Sequence, residues 1–219
     1  MERGVLAIWN DCAENREEEY ESWYLREHFM ERISIPGFYY GRRYEAMEGG
    51  PRYFTHYITE TPDILTSEAY QLRLDSPTEM TRAVMAGVMI NVNRTVCRQV
   101  AVDGQLRGAY VSTFRFRIPQ SHPPFLACIK ECLSSPFVVH AEAWVAADVE
   151  KEELSKEEAI RGTDGTISGC LMIEATVESA IRMITKQIAK NITDDAEIGF
   201  YQLICTLENK DNGVTKCQR

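Results

Sequence analysis

The chain is 219 residues long, 44% apolar and 26% charged, with a net charge of −9, a profile of a globular protein rather than a disordered one. That length suits one large domain or two units of roughly 100 residues, each able to bury its own core. The acidic balance argues against nucleic acid, whose phosphates need a basic surface, and against an anionic membrane surface.

The first element in chain order is a strand over Gly4–Asn10, a short apolar run ending in Asn10 and Asp11 as a buried strand entering a turn does. A helix is expected from Arg16 to Ser34. Its acidic start at Glu17, Glu18 and Glu19 suits the positive end of the helix dipole, and Tyr20, Trp23, Tyr24, Glu27, Met30 and Ile33 recur at helical spacing. Pro36 and Gly37 end it. Phe38–Met47 reads as a strand, Gly49–Pro51 as a turn, and Tyr53–Thr59 as the strand pairing back. A helical region over Asp63–Gly87, broken near Ser76 and Pro77, precedes a strand over Asn91–Val102. The order is β-α-β-β-α-β, the ferredoxin-like unit.

The same order then returns. Ala109–Ile118 alternates as a strand, Pro123–Leu133 is a helix with Pro at its start, and Phe137–Val149 is a strand. Lys151–Arg161 reads as a charged surface helix inserted in the hairpin connection. Thr166–Thr176, an amphipathic helix over Val177–Ile192 and a strand over Ile198–Leu207 complete the set. The expectation is an α+β chain of tandem ferredoxin-like (βαββαβ) repeats, residues 1–103 and 104–209 with a polar tail at 210–219, forming an intrachain α+β barrel. Helices cover one face of each such sheet, and the bare faces hide against each other. The alternative is that each half pairs with the same half of a second chain, a homodimer through sheet or helix faces.

Every Lys lies at or beyond Lys130, and the chain before Asp103 uses Arg alone. Arg presents a rigid fork suited to carboxylates or enolates, although codon bias produces the same pattern. The seven cysteines (Cys12, Cys97, Cys128, Cys132, Cys170, Cys205 and Cys217) form no CxxC pair. His28, His56, His122 and His140 show no metal-ligand spacing. Reduced thiols in the cytoplasm are the expectation. The start of the chain lacks a signal pattern, and the longest apolar run, Ala83–Ile90, is far short of the roughly 20 residues of a membrane helix.

The stretch Trp23–His28, followed by Ile35–Phe38 and Arg42–Tyr44, resembles the dimeric α+β barrel superfamily, most of all its EthD-like branch, in which a helix carrying an aromatic and a His runs into a PGF turn. Leu65–Tyr70 and Asn93–Cys97 add to the likeness, which covers about residues 4–102; the second half matches in element order alone. The resemblance implies the barrel fold. Function is left wide, because the superfamily hosts isomerases, cyclases, monooxygenases and haem enzymes. In its lactone isomerases and polyketide cyclases a helix His near the barrel mouth moves a proton, a role that would fall to His28, against the plainer reading of a His capping a helix end.

Arg42 and Arg43 point to opposite faces of their strand, so at most one lines a cavity between the sheets. Tyr53, Thr55 and Tyr57 are expected on the bare face, with Phe54 and Ile58 toward the helices and His56 a satisfied core His beside them. An Arg among Tyr hydroxyls would hold a carboxylate or stabilise an enolate. Candidate catalytic residues are therefore His28, Arg43 and Tyr57; candidate ligand contacts are Trp9, Tyr24, Arg42, Tyr53 and Asn93. Asn91, Asn93, Thr95 and Cys97 form a polar row that suits a wet pocket, an interface or a solvated edge. Arg115 and Arg117 read as rim. No GxGxxG, P-loop, nucleophile elbow or HExxH occurs, so neither a cofactor nor a metal is called for. The functional expectation is a small-molecule ligand, a small aromatic, lactone or polyketide-like acid, either bound or converted by cofactor-free proton transfer (isomerisation, cyclisation or decarboxylation). The alternative is a non-catalytic stress-related or assembly protein.

Overall fold

Strand Tyr53–Thr59 shows how this chain folds: all seven of its side chains are buried, so both faces of the strand need cover. The computed structural model describes residues 2–117, 125–149, 154–192 and 196–210. The expected helix start at Pro123, the insertion start at Lys151 and the tail beyond Lys210 lie outside the described residues. Among the described residues the strands are β1 (Gly4–Cys12), β2 (Phe38–Glu48), β3 (Tyr53–Thr59), β4 (Met89–Asp103), β5 (Tyr110–Phe116), β6 (Val138–Ala146), β7 (Gly169–Ala175) and β8 (Ala196–Glu208).

They close into one antiparallel barrel in the order β1-β3-β2-β8-β5-β7-β6-β4. Sheet faces alone were expected to meet, but the edges pair as well, β2 with β8 and β4 with β6. The physical cause is strand length. β4 and β8 run 15 and 13 residues, past their nearest neighbours, and reach the far set of strands. Closure leaves no sheet edge open to another chain.

The lumen is filled by side chains from both sets of strands, among them Trp9, Tyr44, Phe54, Trp144, Met172 and Tyr201. Two further cores lie outside the barrel, each between strands and helices. On the first side, α1 (Glu17–Trp23) runs through a π-helical turn (Tyr24–His28) into α2 (Phe29–Ile33). A 3-10 turn (Pro62–Thr66), α3 (Glu68–Leu74) and α4 (Glu79–Met85) follow. Ser67 and Thr78 cap α3 and α4 by accepting from the amides of Tyr70 and Thr81. On the second side lie α5 (Phe125–Cys132) and α7 (Glu178–Ile188).

Two expectations change. Phe54 and Ile58 join the lumen core, while Tyr53 and Tyr57 join the helix-side core, the reverse of the expected faces. In a strand buried on both sides the alternation of Tyr, Phe, Thr and His carries no sign of which face is which. The inserted helix, α6 (Lys156–Arg161), lies at the surface on one face alone: Lys156, Ala159 and Ile160 are exposed, whereas Glu157 and Glu158 are buried. It lies over α3 and α4, on the helix side of the first strands. No helix among the described residues is long and apolar enough to cross a membrane.

Candidate functional site

The π-helical turn sets the site. The amide of Phe29 donates to the carbonyl of Tyr24, five residues back, widening the helix at His28; such turns recur at functional positions. Trp23 anchors this turn by donating from Nε1 to Thr81 Oγ1 at 3.0 Å. His28 packs on the Trp23 ring, centroids 4.2 Å apart, and meets Tyr24 edge-on at 5.3 Å. It is neither a surface residue nor a cap. Its Nδ1 has no hydrogen-bond partner. Burial, and then the positive charges of Arg32, Arg161, Arg73 and Arg43, hold its pKa well below the usual histidine value, so the ring is neutral.

His28 lines a cavity of about 20 Å³ between helices and sheet, with Arg32, Tyr70, Arg94, Glu157 and Glu158 around it. That is room for water alone. Leu6 and Ile8 of β1 form its floor. Arg32 and Glu157 make a buried ion pair across the gap between α2 and α6, with side chains 3% and 2% exposed. Arg32 Nη1 and Glu157 Oε1 lack further partners. Arg94 Nη2 donates to Tyr70 Oη at 2.7 Å, and its Nη1 stands 3.7 Å from Glu158. Asp164 holds Arg161 by two hydrogen bonds of 2.7 and 2.5 Å.

The other expected residues are distributed around this cavity rather than in it. Tyr24 bridges: it touches His28 and shares a 3.1 Å hydrogen bond with Tyr57. Burial raises the pKa of both phenols, so both keep their protons. Arg43 lies beyond them, its guanidinium carbon 4.4 Å from the Tyr24 ring centre, 4.6 Å from Tyr53 and 5.2 Å from Tyr20. Both its terminal nitrogens bind Glu21, at 2.6 and 2.8 Å. A guanidinium so engaged has no fork left for a ligand. Trp9 stacks on Phe54 inside the lumen, 4.8 Å between centroids, and Arg42 faces that side too, paired with Glu174 at 2.5 Å. Asn93 sits against Gly165, where β4 holds the segment leading to β7; Thr95 accepts from the Ile167 amide in the same seam. Of the rim pair, Arg115 is buried over Trp9 and pairs with Glu197, whereas Arg117 is exposed.

Arg32, Arg94 and Glu157 were not singled out by sequence reasoning. Arg32 had a signal, because it stands one helical turn after His28 and shares its face. Arg94 is the outward neighbour of Asn93 in β4. Glu157 had none, since an insertion helix of Lys and Glu looks like a solvated one.

No protein-family model matches the chain, and no curated protein matches it. Solved structures do. An anthrone oxidase-like protein aligns with a TM-score of 0.59 at 7% identity, over 98% of this chain and 96% of that one. A candidate monooxygenase from Lactobacillus acidophilus aligns at 0.58 and 9% identity, over 95% and 97%. A haem-binding protein from Thermus thermophilus aligns at 0.50 and 11%, over 94% and 92%. The chain shares the α+β barrel fold of these structures. Identities this low carry the fold alone. In this α+β barrel a single polypeptide closes the ring, and α6 shuts the space between helices and sheet from above.

Proposed function

We propose that the chain binds a small aromatic, lactone or polyketide-like acid between the first helices and the sheet, where α6 now lies, and transfers a proton on it without a cofactor. One observation carries this reading: a carboxylate, that of Glu157, already sits on buried Arg32 beside a neutral His28 with a free ring nitrogen. The ligand's carboxylate would take the place of Glu157, with Arg32 rather than Arg43 as its holder. Neutral His28 then accepts a proton from the bound acid's activated C–H or O–H. Burial makes the imidazolium costly, so the proton returns promptly to another atom of the same ligand, which is an isomerisation or cyclisation. Tyr57 steadies this through Tyr24, which packs on His28.

The expected architecture of two ferredoxin-like repeats meeting near Asp103, in an EthD-like, cytoplasmic protein, belongs to the same proposal; of the two surfaces expected for a homodimer, the helix faces are the ones left, since the sheet faces line the lumen. The first four strands neighbour one another as β4-β1-β3-β2 and the last four as β8-β5-β7-β6, an order that supports the repeat. The second reading, a non-catalytic assembly protein, draws on the lumen being filled by its own rings.

The test is chemical rescue. Glu157→Ala leaves Arg32 buried without its partner, which costs about 3–5 kcal/mol. Salicylate or 1-naphthoate is expected to restore the lost Tm in that variant and to leave the wild type nearly unchanged. His28→Ala in the Glu157→Ala background keeps the rescue and loses turnover of acids of the proposed class. Absence of rescue by any acid would end the proposed site; rescue without turnover would favour the binding protein over the enzyme.

A further inference from the structure

A second cluster of titratable groups lies on the other face of the sheet, in the lumen, and serves neither the fold's core nor the helix-side site. His140 and Glu142 stand two residues apart on β6 and so face the same way; Glu174 on β7 is the direct cross-strand partner of His140. One ligand atom from each of the three lies within 4.8 Å of the others, and all three residues are buried.

The hydrogen bonds fix what each atom can do. His140 Nδ1 lies 3.0 Å from the Gly104 carbonyl, which can only accept, so Nδ1 carries the proton and Nε2 holds a lone pair. This is how proteins orient an imidazole for a metal: one nitrogen donates to a backbone carbonyl and the other is left bare. Nε2 has no hydrogen-bond partner, nor has Glu142 Oε1, 3.7 Å away. Gln99 donates to the other oxygen of Glu142. Glu174 Oε2 accepts from Arg42 at 2.5 Å and from the Gly108 amide at 2.8 Å. Its Oε1 meets Arg107 at 3.0 Å.

Arg107 is the solvent-exposed member of the cluster. Its side chain is 32% exposed, whereas both carboxylates are fully buried, and it is 3.7 Å from Glu142. Its other nitrogen donates to Tyr40 Oη at 2.5 Å, and its guanidinium lies over the Tyr40 ring at 5.4 Å. It also lines an open groove of about 390 Å³ with Tyr40, Arg42 and Thr206, so it can withdraw along Tyr40 and leave an entry path to the carboxylates.

We propose that His140, Glu142 and Glu174 bind a divalent first-row transition cation, and that Arg107 occupies the place of that cation when it is absent. One imidazole nitrogen and two carboxylate oxygens suit ions of the zinc or manganese class. Three protein ligands leave a coordination position open toward the groove. With Arg42 retained, a divalent ion replacing Arg107 leaves one surplus positive charge, which a hydroxide or a carboxylate entering from the groove cancels. His56 shares this lumen with both ring nitrogens unpartnered and is a neighbour of the ion rather than a required ligand.

The full-length protein, freed of metal with a chelator, is titrated with Zn²⁺ by equilibrium dialysis and with Co²⁺ by absorption spectroscopy. One ion per chain is expected, with visible Co²⁺ bands and no near-ultraviolet thiolate band, since the buried thiols of Cys97 and Cys170 line the same lumen. Arg107→Gln should tighten binding at least tenfold, and Glu142→Gln and His140→Gln should each weaken it at least tenfold. A thiolate band, no stoichiometric binding in either wild type or Arg107→Gln, or an Arg107→Gln affinity no higher than wild type overturns the proposal. The Arg107→Gln comparison decides the matter even if the two buried substitutions fail to fold.

Discussion

Two imidazoles are kept neutral by burial, His28 against Trp23 and His56 stacked beside Phe54 and Tyr44, the latter pushed down to about 3. The unfolded chain titrates both near their ordinary value of about 6.5 and takes up protons that the folded chain refuses. Stability contributed by these rings is complete above that pH and falls as pH drops through it. Each neutral His contributes about 1.4 kcal/mol per pH unit, so the pair gives a slope of about 3 kcal/mol per unit between pH 6 and 5. His56→Phe keeps the aromatic stack and removes one proton. Urea unfolding at pH 7, 6 and 5 is expected to show half the wild-type slope in that variant; an unchanged slope would mean His56 is already protonated or exposed in the folded chain.

Between residue and fold stand the elements, and here close approach matters most. Gly41 on β2 pairs with Tyr57, and a Cβ at that position would lie 2.6 Å from Phe29 and 2.8 Å from Tyr57. Gly41→Ala therefore pushes α2 off the sheet, at a cost of about 1–3 kcal/mol, to be read as a lowered Tm. The capping box of α6, in which Ser155 accepts from the Glu158 amide and Glu158 from the Ser155 amide, is the matching control on the cleft's cover. Ser155→Ala should cost about 1 kcal/mol, and hydrogen exchange should rise over residues 154–161 while the strands stay protected. Such elements were legible in the sequence to different degrees. Tyr53–Thr59 has the bounds its composition suggests, and the Gly4 and Phe38 strand starts do too, because each follows a clear break. The facing of β3 was not legible, since both faces are apolar enough to be buried. His28 stood out by its helix, but Arg32, Glu157 and the lumen trio of His140, Glu142 and Glu174 depend on contacts between residues far apart in the chain. No local pattern encodes those contacts.

At the scale of the whole molecule, the two sets of four strands depend on each other. The second strand of each set meets the fourth strand of the other, β2 with β8 and β6 with β4, and one lumen core draws on both sets. A fragment of residues 1–103 would keep its helix-side core but bare Trp9, Phe54, Ile58 and Tyr44 to water, together with the unpaired outer edges of β2 and β4. Apolar area of that kind drives association at about 25 cal/mol per Å², and open strand edges template pairing with another chain. Expressed alone, the fragment is expected to precipitate or to elute at twice its mass or more, as measured by light scattering on a sizing column. A soluble monomer with native-like near-ultraviolet circular dichroism would show instead that the first four strands hide their inner face without the last four, and that closure of the ring adds stability to units already complete.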